Sequence, residues 1–174
     1  GAYSGELNFY IIFGDTYSSI LQSYFRLTGP QPLPPRWALG SFMSRFGYTS
    51  DAQVRSIYAK MRNDFIPFDA VIFDLFWFGD SIKHTLGNLE WINKEKWNDP
   101  KKLIYDFKKD NVNTILVTEP FVLEGTQNYE SFKPFLAVDS SGMPYMLTDF
   151  YFGRGGLIDL FRNDAKNFFW SFYK

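Results

Sequence analysis

Residues 70–76, Ala-Val-Ile-Phe-Asp-Leu-Phe, are apolar at every position but one. The run is too short for a buried helix and lacks the alternation of a strand with one wet face. It therefore reads as a strand covered on both faces, which is the mark of a parallel sheet. A parallel sheet requires crossover connections, and helical segments lie on either side of this run. The one polar member, Asp74, stands towards its carboxyl end. An unpaired buried carboxylate is costly, so a polar partner is expected there. The carboxyl ends of parallel strands are also where β/α barrels carry the groups that meet substrate.

The flanking pattern repeats. Residues 36–43 read as a strand, with Trp37, Leu39 and Phe42 apolar and Gly40 at a close approach or bend. Ser50 then opens a helix, with Gln53 completing a capping box and Val54, Ile57, Tyr58, Met61 and Phe65 on one face. After the run at 70–76 comes a polar and aromatic loop over 78–98, followed by a helix that starts with Asp99 as cap and Pro100 in its first turn. Leu103, Ile104 and Phe107 face inward. A third apolar strand over 114–118 ends at Glu119-Pro120. The order strand, helix, strand, helix, strand, at intervals of about 34 and 44 residues, is that of right-handed βα units.

Outside this series the pattern changes. Residues 7–13 alternate weakly and read as a strand, and Asp15 or Thr16 caps a helix to about Leu27. Thr28-Gly-Pro30 ends that helix, and Pro32, Pro34 and Pro35 form a stiff connector into a new unit. Residues 135–138 and 145–147 flank a turn at Asp139-Ser-Ser-Gly142, which predicts a β-hairpin. Asn163 or Asp164 caps a last helix that carries Phe168, Phe169, Phe172 and Tyr173. A closed barrel has eight parallel strands and about 250 residues. The expectation for these 174 residues is an α/β fold holding part of one.

Composition narrows the function. Lys+Arg 18 against Asp+Glu 19 leaves a net charge of -1, which offers no footprint for nucleic acid. No apolar run approaches the roughly 20 residues of a membrane span, and no signal peptide is visible, so localisation stays open. The absence of cysteine removes disulfides and thiolate metal sites. His84, the only histidine, has no second ligand at metal spacing and is read as solvated, so no metal is expected. Gly153-Arg-Gly-Gly156 follows no strand into a helix, which leaves nucleotide binding unsupported and predicts no cofactor. Ser44, Ser50 and Thr118 lack a histidine partner for a hydrolase triad.

What remains is a rim of carboxylates and aromatics. Aromatic residues make up 21 % of the chain, and several start loops beside Gly or Asp, as in Phe46-Gly-Tyr48 and Phe76-Trp-Phe-Gly-Asp80. Rings beside carboxylates suit a polyhydroxylated ligand, which offers C–H faces to stack and hydroxyls to bind. Asp74 and Glu119 end neighbouring strands about 5 Å apart. Two carboxyls at about 5 to 5.5 Å are the geometry of a retaining glycosidase. Taken alone, this allows Asp74 and Glu119 as nucleophile and acid/base, or as partners of nearby Arg, Lys or N–H groups. Phe46 and Trp77 read either as walls of a sugar site or as core, and Arg45 as a partner of Asp74 or a surface charge.

Taken together, Pro34-Pro-Arg-Trp-Ala-Leu-Gly40, Ser44-Arg-Phe-Gly-Tyr48, Ile66-Pro-Phe-Asp69 with Phe73-Asp74, and Thr118-Glu-Pro120 resemble the first three barrel strands of glycoside hydrolase family 31. That family includes α-glucosidases, glucosidase II and α-xylosidases. The resemblance implies a partial (β/α)8 TIM barrel. Residues 1–29 would be the end of a β-sandwich with its connecting helix, and 30–120 the first three βα units. Residues 121–156 would be an inserted hairpin subdomain, and 157–174 a helix before a fourth strand. It also implies that Asp74 binds sugar hydroxyls in the -1 subsite, that Phe46 and Val117 line the same pocket, and that Trp77 and Glu119 contribute to the substrate site.

The family's nucleophile lies on its fourth strand and its acid/base later still. The resemblance thus assigns no catalytic residue within 1–174 and replaces the pairing of Asp74 with Glu119. It implies an inactive fragment of a retaining α-glycosidase that removes terminal α-linked glucose from oligosaccharides. An α-xylosidase, or a non-catalytic carbohydrate-binding protein, is the alternative. Two positions depart from the family pattern: Phe76, where an acidic or aliphatic residue is common, and Glu119 in place of Asp. Exposed sheet edges are expected to favour self-association.

Overall fold

Two side-chain caps set the frame of the sheet region. The Gln53 amide donates to the Ser50 hydroxyl at 3.2 Å and the Lys102 amide to the Asp99 carboxylate at 2.9 Å, satisfying N–H groups that a helix start leaves free. The capping box takes a variant form, since the Gln53 carboxamide accepts from the Thr49 amide at 2.9 Å. The structure is a computed structural model and describes residue 5 and residues 7–173. The outer ends of the spans 1–29 and 157–174 lie outside the described residues. The chain divides into two compact units, Gly1–Pro35 and Arg36–Lys174, so the change of unit falls after the proline connector.

In the first unit, Thr16 caps helix α1, Tyr17–Thr28, its hydroxyl accepting from the Ser19 amide. Residues 7–13 form no strand. Leu7, Phe9, Ile11 and Phe13 are exposed and pair with nothing among the described residues. A single strand without partners lacks the hydrogen bonds that stabilise it.

The second unit holds a three-stranded parallel sheet in the order β1-β2-β3: β1, Phe42–Arg45; β2, Ala70–Phe73; β3, Asn113–Leu116. The register pairs Ser44 with Ile72 and Ile72 with Ile115. Helices α2, Asp51–Asn63, and α3, Pro100–Lys109, connect the strands. The first strand is shorter than expected, because Arg36–Leu39 form a 3-10 turn. Gly40 follows that turn, where a Cβ would meet the Asp69 carboxylate at 2.0 Å. Asp69 accepts from the Ser41 amide at 3.0 Å and donates its own amide to the Ser41 carbonyl at 2.7 Å, joining the amino ends of β1 and β2.

The helices cover one face of this sheet. Met43, Val71 and Phe73 meet Val54 of α2 and Leu103 and Phe107 of α3 in a buried cluster. Each such side chain contributes about 1.5 to 3 kcal/mol. The other face, with Ser44, Ile72 and Ile115, is exposed or half-buried. The apolar run of β2 is therefore covered on one side only within these residues. The loop over 78–98 is less polar in place than in composition: Leu86, Leu89 and Trp97 are buried, and Trp91 packs against Phe73 and Trp97.

Residues beyond β3 build a second sheet, antiparallel, in the order β4-β6-β5. Its strands are β4, Phe121–Leu123; β5, Met146–Leu147; and β6, Gly155–Leu157. Of the expected hairpin the turn is present, with the Asp139 amide on the Met143 carbonyl and the Tyr145 amide on Ala137. Its arms meet only in a single bridge, Val138 with Pro144, because Lys133–Phe135 form a 3-10 turn and Met146–Leu147 pair with β6. Both Gly155 and Gly156 are buried, and a Cβ on either would lie 2.7 Å from a neighbour, which lets the two flanking strands close on β6. Short helix α4, Tyr129–Phe132, and α5, Asn163–Ser171, cover the sheet through Phe132, Phe168 and Phe169. Arg162 occupies the cap position of α5 and makes no side-chain cap bond, so Asn163 and Asp164 are its first helical residues.

Candidate functional site

The parallel register carries Phe46, Asp74 and Val117 into one row. Each stands one residue beyond the last residue of its strand, and the residues two places earlier, Ser44, Ile72 and Ile115, are paired across the sheet. Strand alternation carried one residue further assigns all three to the face that the helices leave uncovered, and Val117 also packs against the buried cluster. Adjacent members are about 5 Å apart at the backbone. The row is closed by the Val117 amide, which donates to the Phe73 carbonyl at 2.9 Å.

Asp74 is half-buried and caps a 3-10 turn, Leu75–Phe78, its Oδ1 accepting from the Leu75 amide at 2.8 Å. Among the described residues it makes no ion pair, and Arg45 does not reach it. Arg45 instead places its charge near the Tyr48 hydroxyl, whose pKa is raised by burial and only partly offset by that charge. Most of the Asp74 carboxylate is thus free to accept hydrogen bonds on the open face. Glu119, half-buried and two residues past Val117, accepts no hydrogen bond from a described residue.

Phe46 is 59 % exposed and meets the edge of Phe76 at 5.5 Å and 68°. Phe76, noted in the sequence as a rim aromatic that departs from the family pattern, lies in the 3-10 turn that Asp74 caps. The two rings make a corner at one end of the row. Trp77 is largely core: it is 2 % exposed, packs against Phe78 and Trp91, and borders a pocket with Trp91, Lys94 and Tyr173. Residue 77 has the parity of Phe73, and both belong to the same buried cluster.

Trp77 acts on the rim from behind. Its indole N–H donates to the Val117 carbonyl at 2.8 Å, and the buried Trp97 indole donates to the Phe76 carbonyl at 3.3 Å. Two buried indoles thereby hold the backbone of two rim residues. His84 is exposed, and no group of three or more His, Cys, Asp or Glu that could hold a metal occurs among the described residues. No described helix is long and apolar enough to cross a membrane.

Known proteins resemble this chain in sequence and in fold. The sequence pattern described as "Glycosyl hydrolases family 31 TIM-barrel domain" matches residues 31–174. Alpha-glucosidase 2 of Bacillus thermoamyloliquefaciens is 30 % identical over 123 residues, covering 71 % of this chain and 15 % of the relative. Alpha-xylosidase of Saccharolobus solfataricus is 22 % identical over 169 residues, covering 97 % of this chain and 21 % of the relative. The solved GH31 dextranase FjDex31A of Flavobacterium johnsoniae, complexed with glucose, superposes with a TM-score of 0.81 at 28 % identity. That match covers 92 % of this chain and 20 % of the dextranase.

Proposed function

Because this chain belongs to glycosyl hydrolase family 31, we propose that its parallel sheet is the first three strands of that family's (β/α)8 barrel and that its carboxyl rim holds the terminal sugar of an α-linked oligosaccharide. The observation that carries the proposal is the row of Phe46, Asp74 and Val117 on three adjacent strands, with a half-buried carboxylate that has no ion-pair partner among the described residues. A carboxylate so placed accepts hydrogen bonds from sugar hydroxyls, and such charge-assisted bonds are about twice as strong as neutral ones. Phe46 and Phe76 offer ring faces and edges to the C–H side of the sugar, and Val117 supplies an apolar wall. Glu119 stands one step further out and accepts from hydroxyls there. No residue of the chain is proposed as nucleophile or acid/base.

Glucose is the sugar proposed, on the likeness to an alpha-glucosidase over 71 % of the chain. The test uses the full-length protein with α-D-glucopyranosyl fluoride and with the matching xylosyl fluoride. Turnover of the glucosyl compound, lost on Asp74→Asn, is the expected result. Preference for the xylosyl compound would change the sugar and keep the family chemistry. Sugar binding without turnover of either would replace the hydrolase reading with that of a binding protein.

A further inference from the structure

The loop that follows β2 runs through the seam between the two apolar clusters. Leu86 is buried in the cluster under the parallel sheet and Leu89 in the cluster under the antiparallel one. Between them Asn88 is 6 % exposed. Its Nδ2 donates to the Phe78 carbonyl at 3.0 Å, at the end of the 3-10 turn that Asp74 caps. Its Oδ1 accepts from the Gln127 amide at 3.1 Å, next to α4 of the insert. The Asn88 carbonyl also accepts from the Asn128 side chain.

The backbone around Asn88 is seated just as closely. The Leu123 amide of β4 donates to the Leu86 carbonyl at 3.0 Å. Gly87 has φ +105°, and a Cβ there would lie 2.6 Å from the Cα of Val122. The insert starts at Phe121, two residues beyond Glu119, and Phe121 stacks on Phe150 at 4.5 Å and 28°. The insert therefore follows the last rim residue, Glu119, with only Pro120 between them.

We propose that Asn88 is a positioning residue for oligosaccharide binding, keying the insert to the turn capped by Asp74 and so placing the sugar unit that follows the one held at Asp74. The inference rests on the sugar-site reading above. Asn88 touches no sugar. It acts because a buried amide satisfied at both ends has one geometry, and losing either bond leaves a desolvated carbonyl or N–H behind. Aspartate at this position keeps the acceptor for Gln127 and sets a second acceptor against Phe78, whereas alanine removes both contacts.

The test compares two substrates of the full-length protein: α-D-glucopyranosyl fluoride, whose leaving group is one atom, and maltotriose, which brings further rings. Asn88→Asp and Asn88→Ala should raise KM for maltotriose about tenfold or more, with kcat/KM for the fluoride changed less than about threefold. Asn128→Ala, which spares the Phe78 contact, should shift maltotriose in the same direction by less, and stands in if an Asn88 variant does not fold. Hydrogen exchange should quicken at the Gln127 amide in Asn88→Ala. Equal losses on both substrates, or an unchanged KM for maltotriose, overturns the role of Asn88 and leaves the sugar site intact. A wild-type protein that neither binds nor turns over either substrate overturns the sugar site and this inference with it.

Discussion

Asp74 holds a carboxylate half in solvent with one hydrogen bond from the backbone of its neighbour. Its structural contribution is that of a cap on a single turn, about 1 kcal/mol. Asp74→Ala should therefore lower the Tm of the full-length protein by only a few degrees, while kcat/KM falls about a hundredfold or more through loss of charged hydrogen bonds to substrate. Thermal melts and steady-state kinetics on one preparation separate the two effects. Trp77 is the opposite case. Trp77→Phe keeps the ring and removes the N–H, which leaves the Val117 carbonyl without its donor and costs about 1 to 3 kcal/mol, read from urea unfolding. Asp74 was legible as the one polar member of an apolar run, whereas Val117 entered only through the family resemblance. Trp77 has the parity of buried Phe73, which agrees with its reading as core. Asn88 had as its signal only one amide among Leu86, Gly87 and Leu89.

Among the elements, the capped helices and the central strand were readable from local rules, whereas strands that depend on a distant partner were not. β4 and β6 are three residues each and are made by pairing Phe121 with Leu157 across 36 residues, which no local pattern announces. Gly87→Ala tests how tightly this sheet is seated. A positive φ and a Cβ 2.6 Å from Val122 should together cost several kcal/mol, about 2 to 4, in denaturant unfolding. The hairpin turn has a pH dependence. The Ser141 hydroxyl first, then the Ser141 and Met143 amides, hold the Asp139 carboxyl below the usual carboxylate range. The turn therefore gains from the ionised form at and above the ordinary carboxylate pKa, and this gain is lost as pH falls through the lowered value. Amide resonances of Ser141 and Met143 should shift together below about pH 4, and Asp139→Ala should remove the transition.

At the scale of the whole molecule, β1 and β3 are the edges of the parallel sheet, and its second face is open along Ser44, Ile72 and Ile115. Unpaired edges and open apolar area promote association. The 174-residue chain on its own should sediment as a concentration-dependent mixture, and a single monomeric boundary at all concentrations would count against the open barrel. It should also leave α-D-glucopyranosyl fluoride unhydrolysed, since none of its residues is proposed as nucleophile or acid/base. The sequence by itself determined the βα alternation, the helix caps and the place of Asp74 at a strand's end, because caps, periodicity and apolar runs act over a few residues. Only the tertiary structure decided that the Trp77 indole holds the Val117 carbonyl, that Phe76 meets Phe46 edge-on, and that Asn88 spans two cores. Those outcomes depend on which distant surfaces exclude water together, and short-range pattern does not encode that.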